Sequence, residues 1–264
     1  MYGMLRGLWE YRGFITTSIR NEFIARFARS KLGGLWMIIH PLSQVAIYAL
    51  ILSNVLAARL PGIDNKYAYA LYLMAGILAW NLFAEIVGRC LNVFIENGNL
   101  MKKMRFPRIA LPVIVVGSCL LNNLLLFVAV LVVFLLLGQP PSMEMLWLIP
   151  LTLAVTALAI GLGLILGVLN VFVRDIGQVV PIVLQIWFWF TPIVYSVNVI
   201  PDYLKSTVNL NPMYSIVSAY HSVLVYQKTP DLQQVGMTVV FALGLMVLGL
   251  FLFRRAAPEM VDAL

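Results

Sequence analysis

Few side chains in this 264-residue sequence have the type and spacing to do chemistry. His40 and His221 are its two histidines, and neither has a cysteine or carboxylate at metal-ligand spacing. Cys90 and Cys119 both fall in apolar runs and read as small core residues, with no disulfide framework. No Gly-Lys dipeptide occurs, which excludes a G-x-x-x-x-G-K phosphate loop. Gly161, Gly163 and Gly167 lie in an apolar run with no strand before them, so they predict a small-residue packing face between helices. Neither a catalytic group nor a metal site is predicted. The remaining candidate is Glu85 with Arg89 one turn further on. At i,i+4 the two can face each other, which lowers the cost of placing charge among apolar residues. They read as a structural or gating ion pair, and the competing reading is a proton site in an ion-coupled transporter.

The elements that hold these groups follow from composition. The chain is 62% hydrophobic and only 11% charged, with a mean hydropathy of +0.93. A soluble domain is about half apolar and roughly a quarter charged, so this chain lacks the polar groups to cover a water-facing surface. It predicts an all-α integral membrane protein forming one membrane domain over residues 1–264. Uncharged runs locate six spans, since a crossing takes about 20 apolar residues. They are Leu32–Ala58, Tyr67–Ala84 extended to Cys90, Ile109–Leu137, Met145–Val173, Ile176–Pro201 and Leu232–Phe253. The breaker cluster Gly138-Gln139-Pro140-Pro141 separates the third from the fourth. Residues 206–227 are also uncharged, but they carry Asn209, Asn211, Pro212 and His221, which are costly against lipid. They predict a re-entrant or interfacial helical pair between spans five and six.

Charge tests that count. With six spans, fourteen of the 18 Lys and Arg fall on one side, including those of residues 1–31, Arg89, Lys102, Lys103, Arg174, Arg254 and Arg255. The other side keeps Arg59, Lys66, Lys205 and Lys228. This is a positive-inside pattern with both termini cytoplasmic. It accounts for the net charge of +7 without nucleic acid. Charges throughout residues 1–31 predict no cleavable signal peptide, and the first span then acts as an uncleaved anchor. Within that segment Ile15, Ile19, Phe23 and Phe27 recur every four residues opposite Arg12, Arg20, Arg26 and Arg29. They predict an amphipathic helix at the inner membrane interface, with Glu22 and Arg26 as an i,i+4 pair. The remaining residues divide into the bundle, 32–255, and a cytoplasmic tail, 256–264.

Two further stretches are distinctive. Glu96–Phe106 lies between spans two and three. There Asn97 or Asn99 can cap a short helix and Pro107 ends it. It reads as a basic-apolar knob with Leu100, Met101 and Met104 as its apolar face, or as a plain charged loop. The other stretch is aromatic: Trp187, Phe188, Trp189 and Phe190 are consecutive, followed by Tyr195, Tyr203, Tyr214, Tyr220 and Tyr226. Trp187 lies roughly 20 Å along a helix from Arg174, about two-thirds of the way across a core of about 30 Å. Such rings stack on sugars or form an interfacial belt, and at most two of the four consecutive ones can face a channel.

Five stretches together resemble one family. They are Gly34-Leu35-Trp36 with His40-Pro41-Leu42; Gly76-Ile77-Leu78-Ala79-Trp80-Asn81-Leu82-Phe83; and Glu96-Asn97-Gly98-Asn99-Leu100-Met101-Lys102-Lys103-Met104-Arg105-Phe106-Pro107-Arg108. The others are Phe172-Val173-Arg174-Asp175-Ile176 with Thr191-Pro192-Ile193-Val194-Tyr195, and Leu210-Asn211-Pro212-Met213-Tyr214. In this order, from about Tyr11 to Arg255, the sequence resembles the membrane permease subunit of bacterial ABC exporters for O-antigen, capsular polysaccharide and teichoic acid. His221 is a departure, because an arginine is expected a few residues after the Asn-Pro.

The resemblance implies a homodimer of six-span subunits in the bacterial inner membrane, driven by two copies of a separate cytoplasmic ATPase. ATP and magnesium would be bound by that ATPase, with no cofactor in this chain. The substrate would be a glycan on undecaprenyl diphosphate. The stretch Glu96, Asn97, Gly98, Asn99, Leu100, Met101, Lys102, Lys103 and Met104 would dock on the ATPase, with Arg174 and Asp175 in a second cytoplasmic loop. Trp187, Trp189, Tyr195, Tyr214 and Tyr220 are the candidates to line the glycan path. A drug or small-lipid permease of the same superfamily and an ion-coupled transporter using Glu85 are the competing readings.

Overall fold

The structure, a computed structural model, describes residues 7–28, 35–55, 68–103 and 106–263. Its principal helices are α1 (Arg12–Ala28), α2 (Leu35–Val55), α3 (Ala68–Glu96), α4 (Gly98–Lys103) and α5 (Ala110–Leu136). They continue as α6 (Leu148–Phe172), α7 (Ile176–Phe190), α8 (Asp202–Asn209), α9 (Pro212–Leu224) and α10 (Leu232–Ala263). Among the described residues there is no strand. Among the described residues, four helical stretches are long and apolar enough to cross a membrane: Ala68–Glu96, Ala110–Leu136, Met143–Phe172 and Leu232–Met260. Helix α2 occupies the first expected span, whose ends at 32–34 and 56–58 fall outside the described residues.

α3 forms the centre of the bundle, with Leu71, Leu73, Leu82, Phe83, Ile86 and Phe94 fully buried and a polar stripe of Asn81, Glu85, Arg89 and Asn92 along one side. α6 packs between α3 and α10, and its glycines explain how. A Cβ added at Gly163 would lie 2.7 Å from Cys90 Cβ, and one at Gly167 would lie 2.4 Å from the Cys90 carbonyl oxygen. On the opposite side, a Cβ on Gly161 would meet the Leu245–Met246 backbone at 2.7 Å. The expected small-residue face is therefore two-sided: Gly161 seats α10, while Gly163 and Gly167 seat α3.

The fifth span differs from expectation. α7 stops at Phe190, after 15 residues, instead of continuing to Pro201. At 1.5 Å per residue it is about 22 Å long, short of the roughly 30 Å hydrocarbon core. Pro192 has no N–H to continue the ladder. The Thr191 hydroxyl turns back to donate to the Trp187 carbonyl at 2.9 Å. Ile193 and Val194 then tuck into the core, where the Tyr72 hydroxyl donates to the carbonyls of Pro192 and Tyr195, each at 3.3 Å. The segment expected to be re-entrant is helical, as α8 and α9. Asn211 caps α9 by accepting the Met213 N–H at 3.0 Å, with Pro212 in the first turn.

α1 does more than lie against a lipid surface. Its Ile15 is buried with Ala110 and Ile114 of α5, and Ile19 rests on Gly117. Phe14 and Ile24 stay exposed. α10 continues as helix past Phe253 to Ala263, and the Ala257 carbonyl accepts a hydrogen bond from Arg108. α1, α4, the start of α5 and the end of α10 thus share one end of the bundle. At the other end, Gln139 donates to the Val225 carbonyl at 2.8 Å and Gln227 to that of Pro140 at 2.9 Å, joining the α5–α6 connection to α9.

Candidate functional site

The ion pair expected between Glu85 and Arg89 belongs to a larger network. Arg89 lies 3.8 Å from the Glu85 carboxylate and is bonded directly to Glu22 of α1. Its second nitrogen reaches Cys119 Sγ at 3.5 Å. Glu85 in turn accepts from Asn122 Nδ2 at 2.7 Å. One guanidinium therefore ties α1, α3 and α5 together. The Arg26 side chain, expected to pair with Glu22, lies outside the described residues.

The stretch after α3 forms a helix, α4, whose described apolar residues turn inward. Met101 is 5% exposed and packed in the chain's own core, Leu100 is half-buried against that core, and Gly98 is buried. Asn97 donates back to the Val93 carbonyl at 2.8 Å. The outward surface is Glu96, Asn99, Lys102 and Lys103. Met104 and Arg105 lie outside the described residues.

Arg174 and Asp175 are exposed in the tight turn between α6 and α7. Just before that turn, Asn170, which sequence reasoning missed, ties the end of α6 to α3. Asn170 is buried and donates to the Leu91 carbonyl at 2.9 Å and to Asn92 Oδ1 at 3.2 Å. A buried amide near the end of an apolar span was the signal that could have found it.

The aromatic candidates separate into two groups. Trp187 is internal. Its ring meets Phe83 edge-on at 5.2 Å and Trp80 at 6.3 Å, and its Nε1 donates to Asn211 Oδ1 at 2.9 Å. Asn211 Nδ2 also donates to Thr191 Oγ1 at 3.0 Å, so this cluster anchors α9 to the end of α7. Tyr220 is 1% exposed and its hydroxyl pairs with Thr152 Oγ1 at 2.9 Å, on α6. Trp189 is 51% exposed, and Tyr195 donates to its carbonyl at 2.7 Å. Tyr214 is half-buried; burial raises its phenol pKa, opposed by a hydrogen bond with Ser218 and the Lys205 charge. Trp189, Tyr195 and Tyr214 are the candidates that remain near the surface.

α7 also presents two polar residues that sequence reasoning passed over. Gln178 and Gln185 are exposed, and with Ile182 and Trp189 they occupy positions i, i+7, i+4 and i+11 of one helix face. The outward stripe of α5, by contrast, is Leu124, Val128, Val132 and Leu135, which suits lipid. Val180 and Phe188 are the buried residues of α7, and most of the helix is exposed among the described residues.

His221 is buried and stacked on Tyr72, with ring centroids 3.6 Å apart. Burial holds the imidazole neutral. A Cβ on Gly76 would come within 2.9 Å of its Nε2, so Gly76 makes room for the ring. Among the described residues no group of three His, Cys, Asp or Glu could hold a metal ion.

The chain's matches to known proteins agree with this arrangement. Residues 14–225 match the family model described as ABC-2 type transporter. The chain is 26% identical to the O-antigen export system permease protein RfbA of Myxococcus xanthus over the full length of both. It is 29% identical to the protein of that name from Klebsiella pneumoniae over 92% of each chain. It is also 24% identical to the polysialic acid transport protein KpsM of Escherichia coli, over 92% of this chain and 93% of that one. An apolar helical bundle whose family match runs from α1 through α9 leaves one assignment: the chain belongs to the ABC-2 type transporter family.

Proposed function

We infer that this chain is the channel-forming subunit of an ABC exporter that moves a lipid-linked polysaccharide across the bacterial inner membrane. Two copies would face each other across a path bordered by α7, and two copies of a separate ATPase would supply the energy. The observation that carries this reading is the exposed face of α7. Gln178, Gln185 and Trp189 line it, while the neighbouring outward stripe of α5 is wholly aliphatic. A second copy covering α7 would turn those amides and the indole toward an aqueous path. Amides bond sugar hydroxyls and an exposed indole stacks on a sugar face. Both contacts are weak and repeatable, as a sliding polymer needs. The relatives' names supply the substrate class.

Deletion of the gene is the direct test. Surface polysaccharide should disappear while its lipid-linked form accumulates inside; undiminished surface glycan would end this reading. The two tryptophans should also behave differently. Trp187→Leu loses an internal hydrogen bond and ring contacts, costing about 2–4 kcal/mol, so folded protein should fall. Trp189→Leu should leave folding within about 0.5 kcal/mol and reduce the amount or length of exported glycan. Size-exclusion profiles beside surface-glycan gels separate the two effects. Equal folding losses for both variants would place Trp189 in the packing.

The cytoplasmic assignment of the basic end has its own check. Cys90 and Cys119 are buried and give no labelling background. Ser206→Cys and Thr229→Cys, both exposed positions, should react with an impermeant thiol reagent added outside intact spheroplasts. Labelling of only one would mean that α8 and α9 cross the membrane.

A further inference from the structure

A cavity of about 310 Å³ opens where α2, α3 and α5 meet, lined by Trp36, His40, Asn81, Glu85, Asn122 and Asn123. Its depth is unusual for so many polar groups. Glu85 stands eleven residues before Glu96, the end of α3, or roughly 16 Å along the helix, within a stretch long and apolar enough to cross a membrane. Polar and ionisable groups at that depth are expensive and mark functional positions. Packing does not account for all of them. Asn122 is 7% exposed and spends its Nδ2 on Glu85, yet its Oδ1 has no hydrogen-bond partner.

The donor set narrows the ligand. A phosphate would meet the Glu85 carboxylate, which repels it. A metal cation would find one carboxylate in the lining, Glu85, already held by a guanidinium 3.8 Å away and by Asn122 Nδ2. A neutral sugar suits every group present. Its hydroxyls both donate and accept, matching carboxylate, amides and imidazole, and its C–H face can lie on the indole of Trp36, which is 53% exposed. The volume is at the small end of ligand sites, which run from about 300 to 1,000 Å³. We propose that the cavity between α2, α3 and α5 binds a single neutral sugar unit. This rests on the polysaccharide-export reading and adds a holding site within each subunit, separate from the α7 face.

The test uses the full-length protein in lipid nanodiscs and saturation-transfer NMR, which detects millimolar binding. The probes are the methyl glycosides of glucose, galactose, mannose, rhamnose and N-acetylglucosamine. At least one should show transfer, falling at least threefold in both Trp36→Leu and Asn81→Leu. Trp36 is half-exposed and Asn81 borders the cavity, so both variants should keep the wild-type size-exclusion profile. Asn122→Asp, which keeps the shape, gives a second reading if either variant fails to fold. Transfer that is equal in wild type and variants, or absent for all five probes, overturns the proposal. So does a tryptophan fluorescence response to sodium or pH without sugar transfer, which would make this a cation site. If gene deletion leaves surface glycan intact, the export reading itself fails. If deletion removes the glycan while the variants bind as wild type, only the cavity proposal falls.

Discussion

Replacing Gly167 with leucine should remove the folded protein from the membrane. A Cβ there would sit 2.4 Å from the Cys90 carbonyl oxygen and 3.4 Å from the Phe94 ring. The first obstacle is the backbone of α3, the most buried of the long apolar helices described, so no side-chain rotation relieves it. α6 cannot retreat either. A Cβ on Gly161 would meet the Leu245–Met246 backbone of α10 at 2.7 Å, and one on Gly249 would lie 2.8 Å from the Gly161 carbonyl. Overpacking typically costs about 1–3 kcal/mol where side chains can shift. Here two helix backbones must separate, and the loss should exceed that range. Against a total stability of about 5–15 kcal/mol, at least a tenfold fall in monodisperse protein is expected by fluorescence-detected size exclusion. Gly244→Leu is the control, since nothing lies within 4 Å of a Cβ there. Equal yields of the two variants would show that α6 is not clamped between α3 and α10.

Much of this architecture was legible because helices in lipid are written in long uncharged runs. The turn at 138–141 fixed the border between α5 and α6 to within a few residues, and Asn211-Pro212 marked the start of α9. The glycine face was legible for the same reason: small residues in an apolar run permit close backbone approach. Other features depend on which helix packs on which side. Nothing in the order Trp187-Phe188-Trp189-Phe190 says that Trp187 turns inward to Asn211 while Trp189 turns out; neighbouring helices decide it. Arg89 has a candidate partner one turn away in Glu85. It pairs with Glu85 and also bonds to Glu22, which α1 brings across from 67 positions earlier. The early end of α7 needed the knowledge that Ile193 and Val194 have a buried place to go.

The same distinction changes how ATPase docking should be probed. Read from sequence, Leu100 and Met101 are the residues to convert to aspartate. In the structure Met101 is inside the bundle, so its conversion would bury an unpaired carboxylate and unfold the region whether or not an ATPase docks there. The informative change is Lys102→Glu with Lys103→Glu. Both side chains are exposed on α4, at the end of the bundle that also carries Arg254 and Arg255. Exposed substitutions shift folding by only about 0.5 kcal/mol, so insertion and size-exclusion profile should be unchanged. If α4 is the surface that meets the ATPase, reversing two charges sets like against like, or removes pairs that steer association. Co-purification with the ATPase should drop at least tenfold, equivalent to about 1.4 kcal/mol, and export should drop with it. The loss should lessen at high salt, because exposed charges are screened over about 8 Å at physiological ionic strength and about 3 Å at 1 M. Full co-purification and export by the double variant would move the docking surface off α4. The exposed side of α1, whose Glu22 reaches Arg89 and hence the core of the bundle, would then be the next place to reverse charge.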